Sequence, residues 1–126
     1  MKKLALVLGL AFVPFTATAE KNYMGGKGGT WDCAKDPVVN INHGSGKYTF
    51  KGACETINLN GGKHTMTIES VDTLNVNSGK NTITIGTVGT INVVGANNVI
   101  TYKAAKGGDE VSTNVVGTGN KIGKAK

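Results

Sequence analysis

The chain has 126 residues, 39% hydrophobic and 6% aromatic, with 14 lysines and no arginine against 8 acids, for a formal net charge of +6. That length supports one small domain rather than two. The lack of arginine argues against sequence-specific nucleic-acid binding, because the planar guanidinium is the favoured reader of phosphates and base edges.

At the N-terminus, Lys2 and Lys3 precede an apolar run, Leu4 to Phe15, broken only by Pro14. The small-x-small triplet Ala17-Thr18-Ala19 comes next, so residues 1–19 are predicted to be a secretory signal cleaved between Ala19 and Glu20. The run covers 12 residues, short of the roughly 20 a membrane span needs, and no later stretch comes close. No cysteine follows the cleavage site, so no lipid anchor is expected there. The mature chain of 107 residues is expected in the periplasm or outside the cell. Two lysines leave with the signal, so 12 remain against 8 acids, a net charge of about +4.

Residues 20–38 hold a Gly-rich stretch, Met24 to Gly29, and then Trp31-Asp32-Cys33. Glu20 to Thr30 is expected to be a flexible leader and Trp31 to Pro37 a cap over the first coil of a repeat region that begins at Val39. Cys33 and Cys54 are the two cysteines of a chain bound for an oxidising compartment, where a single disulfide is the default. A metal site or a catalytic thiol are the rivals, and a pair 21 apart with no further ligand at metal spacing supports neither.

Residues 39–122 carry the repeat. Ile57-Asn58-Leu59-Asn60 recurs as Leu74-Asn75-Val76-Asn77 and as Ile91-Asn92-Val93-Val94, with a step of 17. A second segment keeps the same step: Thr65-Met66-Thr67-Ile68, Thr82-Ile83-Thr84-Ile85, Val99-Ile100-Thr101-Tyr102. Upstream, Val39 to Asn42 and Lys47 to Phe50 match at a step of 18, with one residue inserted after Phe50. Downstream, Thr113 to Val116 and Lys121 to Gly123 match at a step of 22, the extra residues falling between Tyr102 and Thr113. Alternation of period two marks each segment as a strand. A unit this short cannot bury its own apolar face, so units must stack. The fold class is therefore all-β: a short parallel β-helix, or β-solenoid, of about five coils, with a basic tail, 123–126, after it.

Within each coil Ile57, Leu59, Met66 and Ile68 and their counterparts are assigned inward, and Asn58, Thr65 and Thr67 outward. Val71 and Val88 suggest a third apolar column at a corner. Asparagine is depleted in strands, so its recurrence at one phase needs a cause. Stacked at about 4.8 Å, identical amides can bond along the axis. Asn40, Asn58, Asn75, Asn92 and Asn114 are expected to form one ladder. Asn81, Asn98 and Asn120, with His64 in their column, are expected to form another. Sugar binding by the outward amides is the alternative.

A cysteine ahead of the first coil, Gly52-Ala53-Cys54 closing it, and units of the form Thr-Ile-Asn-x-x-Gly-x-x-Asn-x-Ile-Thr resemble a bacterial secreted family known as domain of unknown function 3060. The resemblance covers roughly residues 33–122. It implies a β-helical extracellular or periplasmic domain and transfers no catalytic residues.

Chemical motifs are sparse. Gly44-Ser45-Gly46-Lys47, Gly61-Gly62-Lys63 and Ser78-Gly79-Lys80 look like phosphate loops but lack the leading glycine and the Ser/Thr after lysine. His43 and His64 fall in turns of different columns and are expected to be solvated. Glu55, Glu69, Asp72, Asp109 and Glu110 form no repeated acid column that could place two carboxylates across a cleft. No cofactor, catalytic residue or metal site is expected. The expected function is that of an exported, non-enzymatic binding or structural module. Its candidate contact is a weak stripe of Lys63 and Lys80 beside Asn58, Asn75 and Asn92, suited to an anionic envelope polymer. Another exported protein is a second candidate partner. Alternatives are self-association through coil ends, ice binding through the Thr-x-Thr pairs 65/67 and 82/84, and an enzyme acting on envelope polymers.

Overall fold

The computed structural model describes residues 20–23, 28–42, 44–108 and 110–125. The expected signal, Ala19 on its cleavage site, and His43 and Asp109 lie outside the described residues.

Nine strands and no helix occur among the described residues: β1 (Glu20–Tyr23), β2 (Gly28–Asp32), β3 (Val38–Ile41), β4 (Lys47–Leu59), β5 (Thr65–Val76), β6 (Thr82–Val94), β7 (Val99–Ala105), β8 (Ser112–Val116) and β9 (Lys121–Lys124). Every pairing is parallel. One face stacks β1, β3, the C-terminal halves of β4, β5 and β6, and then β8. The other stacks β2, the N-terminal halves of β4, β5 and β6, then β7 and β9. The chain is a β-solenoid, and its register follows the repeat: Ile57 pairs with Leu74 and Leu74 with Ile91, as Met66 pairs with Ile83 and Ile83 with Ile100.

Because successive strand residues point to opposite faces, each register column is all inward or all outward. The inward columns Val39–Ile57–Leu74–Ile91 and Tyr48–Met66–Ile83–Ile100 are wholly buried. Alternation breaks at Glu69-Ser70 and again at Asp72-Thr73, so Val71 also turns inward. Cys54, Val71 and Val88 make that corner column, buried throughout. Outward, Thr65, Thr67, Thr82 and Thr84 are exposed.

The N-terminal expectation needs correction. Within residues 20–30, expected as a flexible leader, the described residues 20–23 and 28–30 supply paired strands: Asn22 pairs with Asn40, and Thr30 with Thr49. The register there runs at 18 and then 19 residues, and glycine fills Gly28 and Gly29, so neither the 17-residue step nor the alternation reveals the rung. Trp31 pairs with Phe50, packs partly buried on the core, and donates from Nε1 to the Asp36 carbonyl at 3.0 Å. At the other end Gly123 and Lys124 belong to β9 rather than to a tail.

The disulfide joins Cys33 to Cys54 with a Cα–Cα distance of 4.9 Å, and both cysteines are buried. It ties the first rung to the start of the corner column. Beside it the extra residue after Phe50 forms a bulge, with the register shifting between Phe50 and Ala53. Gly52 takes φ +82° there, a conformation glycine adopts without a Cβ penalty. Its amide donates to Glu69 Oε1 at 2.7 Å, so the bulge is not left with an orphan N–H.

Two outcomes are expected from these faces. Ile83→Asp places a carboxylate in a fully buried column and should unfold the domain, whereas Thr84→Asp, its exposed neighbour, should cost under about 1 kcal/mol in urea melts. Equal destabilisation would contradict the faces. The Cys33→Ala, Cys54→Ala pair should lose about 3 kcal/mol, with hydrogen exchange accelerated first in β2. Uniform loss of protection down to β6 would refute a local tether.

Candidate binding groove

The connection between the two faces repeats in each coil as a tight turn. In consecutive turns the third residue is Ser45, Lys63, Lys80 and Asn97, all with positive φ between 60° and 64°. Gly119 continues the column at φ 73°. The residue before it is small because rungs touch there: a Cβ on Gly62 would lie 2.6 Å from the Gly79 carbonyl oxygen, and one on Gly79 2.5 Å from that of Ala96. The left-handed residue is locked by its own amide, which donates one rung on: Lys63 to the Gly79 carbonyl at 3.2 Å, Lys80 to that of Ala96 at 3.0 Å.

The residue after it points into the core. His64, Asn81 and Asn98 are each at most 1% exposed. Asn98 Oδ1 accepts from Asn81 N at 3.1 Å and from Asn81 Nδ2 at 2.9 Å, and Asn120 Oδ1 accepts from Asn98 in the same way. His64 N donates to Asn81 Oδ1 at 2.9 Å. The expected turn ladder is therefore present, and it is internal. His64 is corrected from solvated to buried: it occupies the asparagine register, with its ring 5.6 Å from that of Tyr48. Asn81, Asn98 and Asn120, bonded to one another and to His64 N, hold their turns in one conformation.

On this rigid backing lies an open groove of about 720 Å³ running along the solenoid axis. Ser45, Lys63, Lys80 and Asn97 edge it on one side, Asn77 and Val94 on the other. The structure thus brings Lys63 and Lys80 together in one exposed column, as expected from their spacing. It does not bring Asn58, Asn75 and Asn92 to them. Those amides form the expected ladder on the adjacent face, each Nδ2 donating at 2.8 Å to the Oδ1 one rung earlier, from Asn58 to Asn40 up to Asn114 to Asn92. The Asn77 amide on the groove ends an unanticipated ladder, Asn77 to Asn60 at 3.0 Å and Asn60 to Asn42 at 3.2 Å. Its signal was present in the sequence as Asn42, Asn60 and Asn77 at the repeat step.

Three carboxylates are engaged in local structure. Asp72 pairs with Lys106, Glu69 accepts from Gly52, and Asp32 Oδ1 accepts from Ala34 N at 3.0 Å. Among the described residues no three His, Cys, Asp or Glu converge as a metal site, and no helix is long and apolar enough to cross a membrane. A second surface is more regular than the sequence suggested. Thr30, Thr49, Thr67, Thr84 and Thr101 share one outward column over consecutive rungs. Comparison of the chain with family models, curated proteins and solved structures gives no match.

The internal ladder is testable by itself. Asn98→Leu strips acceptors from Asn81 N and Nδ2 inside the core and should cost about 2 to 4 kcal/mol. Asn58→Thr, on the half-buried outer ladder, should cost under about 1 kcal/mol. The comparison is read by chemical denaturation of the two variants.

Proposed function

We propose that this protein is an exported, non-enzymatic β-solenoid of the periplasm or secreted matrix, similar to the domain-of-unknown-function 3060 family, that binds an extended anionic polymer along its turn groove. The observation that carries this reading is the stacked pair Lys63 and Lys80, both exposed and both held in the left-handed conformation. A non-glycine residue there carries a backbone cost of about 1 kcal/mol or more, least for asparagine. Asn97 and Gly119 occupy the same column with less strain, so lysine is not what the turn itself asks for. Side-by-side ammonium groups in water repel by under about 1 kcal/mol, which the fold tolerates. The result is a fixed row of positive charge along a shallow channel.

The natural control is already in the column. Lys63→Asn with Lys80→Asn removes both charges while giving each turn the residue found at Asn97. The variant should melt no lower than wild type and should lose most of its binding to polygalacturonate and to long-chain polyphosphate. Wild-type binding should fall steeply between low and high salt, since exposed charges are screened within about 10 Å at 0.1 M. Equal binding by wild type and variant, or binding by neither, would sink the proposal.

A second reading is favoured by the five threonines in register. A flat row of hydroxyls at the rung spacing of about 4.8 Å can order a water layer, which is the basis of ice binding. Thermal hysteresis in wild type, abolished by Thr67→Lys and Thr84→Lys, would establish it. No hysteresis would dismiss it.

A further inference from the structure

Three features of the groove, taken in order along the axis, narrow the ligand. Lys63 and Lys80 supply positive charge one rung apart. The amide ladder beside them ends at Asn77: the next residue in that column is Val94, which cannot donate to Asn77 Oδ1. That oxygen is left as an acceptor on the groove wall. Beyond it the column becomes apolar. Val94 pairs with Val116, and these are 55% and 65% exposed, the most exposed large hydrophobic side chains described. Gly95 N donates to the Val116 carbonyl at 2.9 Å, which fixes the pair at the end of the channel.

Resting on the groove reading above, we infer that the ligand is a glycan whose sugar rings carry carboxylates, lying parallel to the solenoid axis, rather than a polyphosphate. The rungs advance by about 4.8 Å, close to the advance of one pyranose ring along an extended chain. Successive lysines therefore lie about one sugar apart, and their flexible stems let them follow carboxylates that neighbouring rings present on different sides of the chain. A ring hydroxyl donates to Asn77 Oδ1, and the C–H face of a further ring covers Val94 and Val116. A polyphosphate satisfies only the first of these three. At neutral pH it has no hydroxyl donor for the amide oxygen, and it has no apolar face to remove the valine methyls from water.

Titration calorimetry of the full processed protein with oligogalacturonate and with polyphosphate of similar charge separates the cases. Wild type should bind oligogalacturonate more tightly. Val94→Thr with Val116→Thr keeps branched, strand-favouring side chains at exposed positions and should leave the melting curve in place. It should weaken oligogalacturonate by about threefold or more and leave polyphosphate unchanged. Val94→Ser alone should shift oligogalacturonate in the same direction. Polyphosphate binding as tight as oligogalacturonate, or valine variants that bind oligogalacturonate as wild type does, would overturn the glycan assignment while leaving the anionic groove intact. Retention of all binding by the Lys63→Asn, Lys80→Asn variant would instead remove the groove reading beneath it.

Discussion

Parallel rungs stacked at about 4.8 Å set every residue over its counterpart one repeat away. In most folds such identity between neighbours is incidental. Here it decides which side chains are usable. Isoleucine over isoleucine builds a continuous core, and asparagine over asparagine replaces lost water contacts with amide bonds at 2.8 Å. An isolated carboxylate in an inward column would have no such partner and would bear its full desolvation cost. The internal asparagines are the more demanding case. Asn81 and Asn98 are buried, yet Asn98 Oδ1 meets both a backbone and a side-chain donor from Asn81, and Asn81 Oδ1 meets the backbone N–H of His64. That arrangement exists only while consecutive rungs keep the same turn geometry, so the ladder and the left-handed turn column sustain each other.

Columns that repeat at 17 were readable directly, and the corner column of Val71 and Val88 with them, because stacking converts periodicity into position. The bulge after Phe50 was readable as one extra residue. Two kinds of feature escaped. The first rung escaped because Gly28 and Gly29 stand where strand-forming residues recur and because its steps differ from 17. His64 escaped because exposure in a turn depends on backbone sign: a residue after a left-handed position is carried into the core, and neither composition nor spacing reports that sign. The candidate stripe suffered in the same way. Asn58 and Lys63 are close in sequence, but they stand on different faces, and the amides of Asn58, Asn75 and Asn92 already bond to each other.

Coil-end stacking meets opposition in the C-terminal rung. Lys124 takes the register of Tyr102, which comes after Ile85 in a core column. Thr113 likewise stands in the column of Ile91. Continuing the stack past β9 with a second copy would bring the Lys124 ammonium toward the apolar interior, where an unpaired charge is costly. Charged residues at core registers are a known protection of sheet edges.

On the proposed reading, the same lattice favours a polymer over a small molecule. The groove is open, so a compact ligand lying in it would keep much of its area in water and gain little. A chain laid along the axis gains the same weak contact at each rung, and rigid turns keep those contacts aligned without an ordering cost at binding. Multiplicity then takes the place of depth. Lysine is well matched to that role: its flexible stem and compact charge follow an anionic chain without demanding the fixed planar geometry that arginine imposes. The strained backbone beneath Lys63 and Lys80 is held by carbonyls of the next rung, so the turn's preference for glycine or asparagine yields at those two positions and prevails at Asn97 and Gly119, where the channel changes from charged to apolar.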